Sequence, residues 1–385
     1  MATGIGQSLV FAILAPLGRE VQMGELQITS IIAVSALIFG LSSPHWGRFS
    51  DRVGRKPVII TGLVGYSVGT LLFTSTFYAG MAGLVSGTLF YVLVLGTRIC
   101  QASVMSATNP ASTAYAADHT SRAMRTKTMA RLGTASSMGT ILGPAVSGAL
   151  ATFGLLAPLY FAAGLAALAA LTVWRALPLT PPQQRGRRET IARLQYRDRR
   201  IALYLVTAVG LFIGFSSIQQ TLGFHLQDTM ALSGIQTAQY TGAALLVSAT
   251  CTLFIQLTVM QRVQLRPTQF IRIGLLSLLI GAAVISGFET FPTLAVGMAF
   301  LGTGMALCMP AISAGASLAV EPHEQGAAAG LVASCPAIGF SIGPLCGGAL
   351  YQVDDALAPL FSGCVFFAVL LIVVFFDRRG APTQD

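Results

Sequence analysis

The sequence predicts an all-α integral membrane protein, twelve transmembrane helices in two related halves of six. Three observations predict it. The 385-residue chain is 54% hydrophobic and 10% charged, with a mean hydropathy of +0.72, whereas a soluble domain carries about 25% charged residues. Short charged loops separate apolar runs, most of them near the ~20 residues that cross a bilayer as a helix. Motifs in the first half also recur in the second at a spacing of 200 or 201 residues. Helices follow because hydrocarbon offers no partner to a backbone N–H or C=O, so each span must satisfy its own.

The spans are expected near residues 3–17, 28–49, 57–77, 84–111, 129–150, 155–174, 201–223, 236–260, 269–288, 293–320, 327–350 and 356–376. Span 1 is short. About 17 residues at 1.5 Å each reach about 25 Å, less than the ~30 Å hydrocarbon core. Its start is therefore expected upstream or partly unwound. No basic segment precedes it, so no cleavable signal peptide is expected. The one long polar connection is 178–200, with seven arginines and two acids. It divides the chain into a first bundle at 1–177, a linker at 178–200, a second bundle at 201–377 and a tail at 378–385. Within the linker, 189–196 reads equally as an amphipathic helix on an anionic membrane surface or as a flexible connection.

Charge sets the orientation. Of 23 Lys and Arg, only Arg19 lies outside and only Arg98 lies deep in a span, when the N-terminus is placed in the cytoplasm. The opposite loops carry Glu20, Glu25, Asp228, Glu289, Asp354 and Asp355. This asymmetry predicts a multi-pass protein of the cell inner membrane with both termini cytoplasmic. The net charge of +9 sits in these short loops rather than on one face, so nucleic acid is not an expected partner.

The loop after span 2 reads Gly47-Arg-Phe-Ser-Asp51-Arg52-Val-Gly54-Arg55-Lys56, four cations and one acid in ten residues. Its pattern, Gly-x-x-x-Asp-Arg-x-Gly-Arg-Lys, resembles the loop between helices 2 and 3 of the major facilitator superfamily. The repeats agree. Asn109-Pro110-Ala111 recurs as Met309-Pro310-Ala311, and Ala157-Pro158-Leu159 as Ala358-Pro359-Leu360. Gly139, Gly143, Pro144 and Gly148 recur as Gly339, Gly343, Pro344 and the pair Gly347-Gly348. The last set is similar to the Gly-x-x-x-Gly-Pro-x-x-Gly-Gly signature of the antiporter branches, with Ser147 replacing one glycine in the first copy. The resemblance implies the major facilitator fold of two pseudo-symmetric six-helix bundles and the twelve-span, drug:proton antiporter-like branch that performs multidrug efflux. It also implies alternating access, with bundles rocking about a shared pocket.

The resemblance implies a gate of Asp51, Arg52, Arg55, Lys56 and Asp118. In it Asp51 lies near the start of span 11 and Arg55 pairs with Asp118. It implies a proton-coupling role for Arg98 and Gln101, because Arg98-x-x-Gln101-Ala102 is similar to an Arg-x-x-Gln-Gly element of proton-coupled exporters. There the arginine adjusts the pKa of nearby acids. From residues alone, a cation mid-span costs at least ~2.5 kcal/mol and needs a partner or water, and an arginine bonded to backbone carbonyls would answer equally. No Asp or Glu lies mid-span, so proton antiport rests on the resemblance. His225 is read as an exposed loop residue.

Polar residues inside apolar spans are the substrate-path candidates: Gln7, Tyr91, Asn109, Gln219, Gln220 and Gln256, with Phe11 and Phe215 as apolar partners. Ser8, Gln101, Phe212, Phe224 and Met305 extend this set. No intramembrane cation cluster awaits a dianion, so a neutral, cationic or amphiphilic organic molecule is expected. Each polar residue reads equally as a helix–helix hydrogen bond. Export of one endogenous metabolite such as a siderophore, or facilitation without protons, stays open beside drug export.

Other classes are excluded or disfavoured. Neither lysine, Lys56 or Lys127, follows glycine, so no phosphate-binding Gly-Lys-Ser/Thr loop exists. The four histidines fall in or near separate loops and the six cysteines in apolar runs, without metal-ligand spacing. An enzyme, a cofactor and a metal are therefore not expected. A small-molecule substrate, protons and the lipid bilayer are the expected partners, and the chain is expected to be a monomer.

Overall fold

The computed structural model describes residues 2–120, 122–178, 194–321 and 324–380. Most of the expected linker and the end of the expected tail lie outside them. The described helices are α1 (Ala2–Glu20), α2 (Glu25–Val53), α3 (Arg55–Met81), α4 (Gly87–Met105), α5 (Thr108–Asp118), α6 (Arg122–Leu150), α7 (Ala157–Ala176), α8 (Arg199–Met230), α9 (Gly234–Arg262), α10 (Pro267–Ser286), α11 (Phe291–Leu318), α12 (Gln325–Tyr351) and α13 (Leu357–Gly380). Counting α4 and α5 as one span, ten are long and apolar enough to cross a membrane. With α1 and α6 they make twelve. The fold is all-α and membrane-embedded, as the composition predicts.

Two of the expected boundaries move. Span 1 is wound from Ala2, about 28 Å of helix, so its first turn is not unwound. Span 7 does not end at Gly223 but continues as α8 to Met230. His225 is thus buried within a helix, not exposed in a loop. Gly223 serves a helix contact and not a helix end: a side chain there would come within 2.7 Å of the Ala15 methyl on α1.

Span 4 breaks between Met105 and Thr108. Pro110 cannot donate to the residue four before it, yet Pro310 sits in an unbroken α11. The difference lies at Ser103, whose carbonyl accepts from Trp46 Nε1 at 2.7 Å and from Ser106 Oγ at 2.8 Å. Those competing donors open the ladder. The corresponding second-half residues, Thr303 and Ala306, include no hydroxyl at the second position.

By contacts the chain forms two compact units. One is Met1–Gly186 with Gly223–Leu246, the other Arg187–Leu222 with Val247–Asp385. Each is built on the same rails. In the first, an added methyl at Gly62 would meet Thr108 and at Gly69 would meet Gln101. In the second, Gly274 meets Cys308 and Gly281 meets Leu301. The α3 and α10 partners are 212 residues apart and the α4–α5 and α11 partners 200 apart, so the duplication is visible contact by contact. Small residues let backbones approach where hydrocarbon provides no hydrophobic drive between helices.

Candidate functional site

The first unit has a cation-rich face at the α2–α3 junction. Gly54 makes the junction with φ 104°, a left-handed conformation that a side chain would strain. This turn places Arg55 beside Asp51 at 2.5 Å, Asp118 at 3.1 Å and Ser50 Oγ at 2.6 Å. The guanidinium is buried and the two acids half-buried, so the sequence-predicted triad does meet. Lys56 is buried too, but it donates to the Leu177 carbonyl at 2.6 Å, capping the end of α7 where a cation suits the helix dipole. Arg52 is exposed.

Deeper in the unit lies a polar network between α3 and α4. Arg98 is buried and donates to Gln101 Oε1 at 2.5 Å; Gln101 Nε2 donates to Thr70 Oγ1 at 2.5 Å. The Arg98 guanidinium also lies over the Phe73 ring, 5.4 Å from its centroid. Arg98 Nε and the Tyr66 hydroxyl are buried without a hydrogen-bond partner among the described residues. The corresponding second-half residues are Leu278 for Tyr66, Ala282 for Thr70, Met298 for Arg98 and Leu301 for Gln101, all buried. Even the packing is compensated. Tyr66 fills the space at Gly6 and packs with the small Ala166, while Phe366 fills the space at Gly214. The scaffold therefore packs without these polar groups. The second half packs the matching helices with apolar residues where the first half carries this buried charge.

The glycine motifs seat one helix on another. Ser8 Oγ on α1 donates to the Gly139 carbonyl on α6 at 3.3 Å, and Ser216 Oγ on α8 donates to the Gly339 carbonyl on α12 at 3.1 Å. A side chain at Gly143 would overlap Ser8, and one at Gly343 would overlap Ser216. Ser147, the departure from the motif, donates to the Leu9 carbonyl at 3.1 Å, whereas Gly347 lies bare against Ser217. Pro144 and Gly148 have a further neighbour: a side chain at Gly242 on α9 would lie 2.5 Å from the Pro144 carbonyl. Pro344, Gly347 and Gly348 are buried.

The substrate-path candidates fall into distinct settings. On α1 the half-buried Thr3, Gln7 and Phe11 stand at steps of four, a single stripe on an otherwise buried helix. On α8 the half-buried Phe215 and Gln219 stand four apart. Ser8 and Ser216 align the two helices at 208 residues, which pairs Gln7 with Phe215 and Phe11 with Gln219. Gln219 Oε1 and Gln220 Nε2 are buried without a hydrogen-bond partner among the described residues, a state that costs about 1–3 kcal/mol per group. Tyr91 instead bonds Ser30 Oγ at 2.8 Å, joining α4 to α2. Gln256 is half-buried on α9. Asn109 lines a cavity of about 530 Å³ in the first unit, with Thr3, Ser112 and Thr113 as further polar walls and Ile59, Leu63 and Val173 as apolar ones. Among the described residues, none of the side chains lining it is charged.

Sequence reasoning missed two ion clusters. In the second unit Arg200 bridges Asp198 at 2.8 Å and Glu324 at 2.7 Å, and Tyr196 OH meets Ser334 Oγ at 2.8 Å. The side-chain and backbone hydrogen bonds from Arg200 hold the Asp198 carboxyl below the usual carboxylate range. On the acid-bearing face of the first unit, Arg19 meets Asp228 and Glu25. Neither cluster has a local signature, because its members are up to 209 residues apart. The one available signal was Arg19 itself, a cation on the face that otherwise carries acids.

The model described as Major Facilitator Superfamily matches residues 1–288 and 260–385. Multidrug resistance protein 2 of Bacillus subtilis (strain 168) is 25% identical over 389 residues, 98% of this chain and 93% of that protein. Multidrug resistance protein 1 of the same organism is 27% identical over 358 residues, 91% of this chain and 87% of its own length. The class E tetracycline resistance protein of Escherichia coli is 31% identical over 174 residues, 44% of this chain and 39% of that one. Among solved structures, the nucleoside transporter NupG superposes with a TM-score of 0.74 at 15% identity, covering 97% of each chain. A bacterial homologue of the iron transporter ferroportin, in an inward-facing state, gives 0.71 at 15% identity, covering 97% and 95%. These structural likenesses are likenesses of fold.

Proposed function

The chain belongs to the major facilitator superfamily, and on that premise we propose that it exports small amphiphilic organic molecules across the cell inner membrane in exchange for protons. The observation that carries export is the likeness, over nearly the whole chain, to two Bacillus proteins named for multidrug resistance. The paired Gly-Pro seats on α6 and α12 support it. In this reading the cation-rich face is cytoplasmic, as are both termini, and the protein works as a monomer of two six-helix bundles joined by the 178–200 linker. Uncharged walls of mixed polarity around Asn109 suit a neutral or weakly cationic amphiphile, and the unsatisfied amides of Gln219 and Gln220 add hydrogen-bonding groups for it.

Coupling is the part with a second reading. No acid lies mid-span in the sequence, which favours a facilitator that moves substrate without protons. Proteoliposomes with an imposed pH gradient separate the two. The expected result is gradient-driven uptake of a lipophilic cation and none of a siderophore-like acid. Counterflow without any response to the gradient would establish the facilitator, and uptake of the acid alone would establish a dedicated metabolite exporter.

The Asp51–Arg55–Asp118 cluster is proposed as the gate at the cytoplasmic face. Asp51→Asn keeps the shape and removes the charge that Arg55 meets. It is expected to leave membrane insertion unchanged and to lower uptake into inverted vesicles by about tenfold or more, since hydrogen bonds to charged groups contribute ~1.5–3 kcal/mol. Parental uptake by this variant would end the gate assignment.

A further inference from the structure

We propose that Arg98 and Tyr66, at the inner end of the Asn109 cavity, form a binding site for one small monovalent anion such as chloride. Both residues are buried, and each keeps a donor unused: Arg98 Nε and the Tyr66 hydroxyl have no hydrogen-bond partner among the described residues. The two side chains lie within electrostatic reach of each other. What the guanidinium does meet is uncharged, the Gln101 amide oxygen and the face of Phe73. No Asp or Glu lies mid-span in the sequence, and Asp51 and Asp118 at the α2–α3 junction are engaged by Arg55. A buried charge without a counter-charge is costly.

The direction of the hydrogen bonds selects the ligand. Gln101 Oε1 accepts from Arg98, Gln101 Nε2 donates to Thr70 Oγ1, and Thr70 Oγ1 donates to the Tyr66 carbonyl at 2.7 Å. The acceptors of this chain are engaged, and a guanidinium N–H and a hydroxyl are left over. Surplus donors around a positive charge suit an anion. Water would satisfy the donors and leave the charge, and a cation would be repelled. One guanidinium balances one negative charge, so the ligand is monovalent.

The cavity leads to this pair from the cation-rich face. On four helices a wall residue stands three positions, about one turn, from the surroundings of the Tyr66 ring. Leu63 precedes Tyr66 on α3, and Thr3 precedes Gly6, where an added methyl would overlap the Tyr66 hydroxyl. Thr108 follows Met105 and Ala169 follows Ala166, both packed with Tyr66. Thr108 adds a third buried hydroxyl without a hydrogen-bond partner among the described residues. Toward the other end, the wall residue Ile59 stands four positions from Arg55, where clustered cations draw anions by their field. On the export reading above, an anion at Arg98 would cancel the charge that a weakly cationic cargo in this cavity would otherwise face.

The test reads binding and needs no cargo, so its failure and the failure of the export reading are separate results. Chloride replaces gluconate at constant ionic strength around the detergent-solubilised protein. The melting temperature is expected to rise saturably by about 3 °C, because a ligand of the folded state alone stabilises it. Tyr66→Phe keeps the ring and removes the hydroxyl, and should raise the half-saturating chloride concentration about tenfold. Arg98→Gln should abolish the response. A parental protein indifferent to chloride would overturn the site in favour of ordered water. A parental response in Arg98→Gln would overturn it as well, since the anion would then bind elsewhere. Should Arg98→Gln not fold, Tyr66→Phe decides alone, and an unchanged half-saturation there would end the proposal.

Discussion

Transplanting the apolar core of the second half into the first is expected to leave a stable, membrane-inserted protein that no longer transports. The replacement is Tyr66→Leu, Ala166→Phe, Thr70→Ala, Arg98→Met and Gln101→Leu, the residues found at the matching positions in the twin half. Ala166→Phe is included because Phe366 fills the space at Gly214 that Tyr66 fills at Gly6. Exchanging buried polar groups for packed apolar ones of matched volume ranges from neutral to ~1–4 kcal/mol stabilising. The melting temperature should hold or rise. Transport should fall by about a hundredfold, the loss expected when a mid-membrane cation serves the cycle rather than the scaffold. Two outcomes would remove the idea: normal transport, which leaves the network without a role, or failure to insert, which makes it structural after all. Because Arg98→Met alone strands the Gln101 and Thr70 groups, it is the poorer experiment; an unpaired buried polar group costs more than a pair removed together.

The second large effect is steric. Gly343→Leu is expected to abolish both folded yield and transport. Its Cβ would overlap Ser216 Oγ and the Ile213 carbonyl and lie 3.1 Å from the Ser217 nitrogen. A rotating hydroxyl can yield, but two backbone atoms cannot without parting α8 from α12. Overpacking typically costs about 1–3 kcal/mol and more where backbone must move, and no hydrophobic drive between helices in lipid compensates. Gly143→Leu should behave alike, since the Ile5 carbonyl would lie 2.7 Å from the added atom. Gly164→Leu is the control: nothing lies within 4 Å of its added atom, and removing an interior helix glycine should be harmless or helpful by ~0.5–1 kcal/mol. Monodisperse yield and melting of detergent-solubilised protein would measure all three. A well-folded Gly343→Leu protein would show that the α8–α12 contact is looser than its geometry.

The candidate site was legible where it is local. Asp51 and Arg55 are four residues apart, and Gly54 marks the turn that lets Arg55 fold back. The Gly-Pro motifs announce close helix contacts. What they touch was not legible, because Ser8 and Ser216 are ordinary residues until a glycine carbonyl faces them. The repeat shows the same divide. Matches at a spacing of 200 stand out by eye, but α1 and α8 register at 208 and α3 and α10 at 212, as the contacts of Ser8, Ser216, Gly62 and Gly274 show. Loops of unequal length shift the register between helices, and only packing restores it. At that register Gln7 matches Phe215 and Phe11 matches Gln219.

The sequence by itself determined the class of the protein, its twelve spans and its doubled architecture, because hydropathy, glycine spacing and repetition are properties of neighbouring residues. Tertiary structure alone decided that Arg19 meets Asp228 across 209 positions, that His225 is buried, and that Arg98 finds an amide in place of an acid. Charges pair by distance in space, and helix packing, unlike hydropathy, sets that distance between residues far apart in the chain.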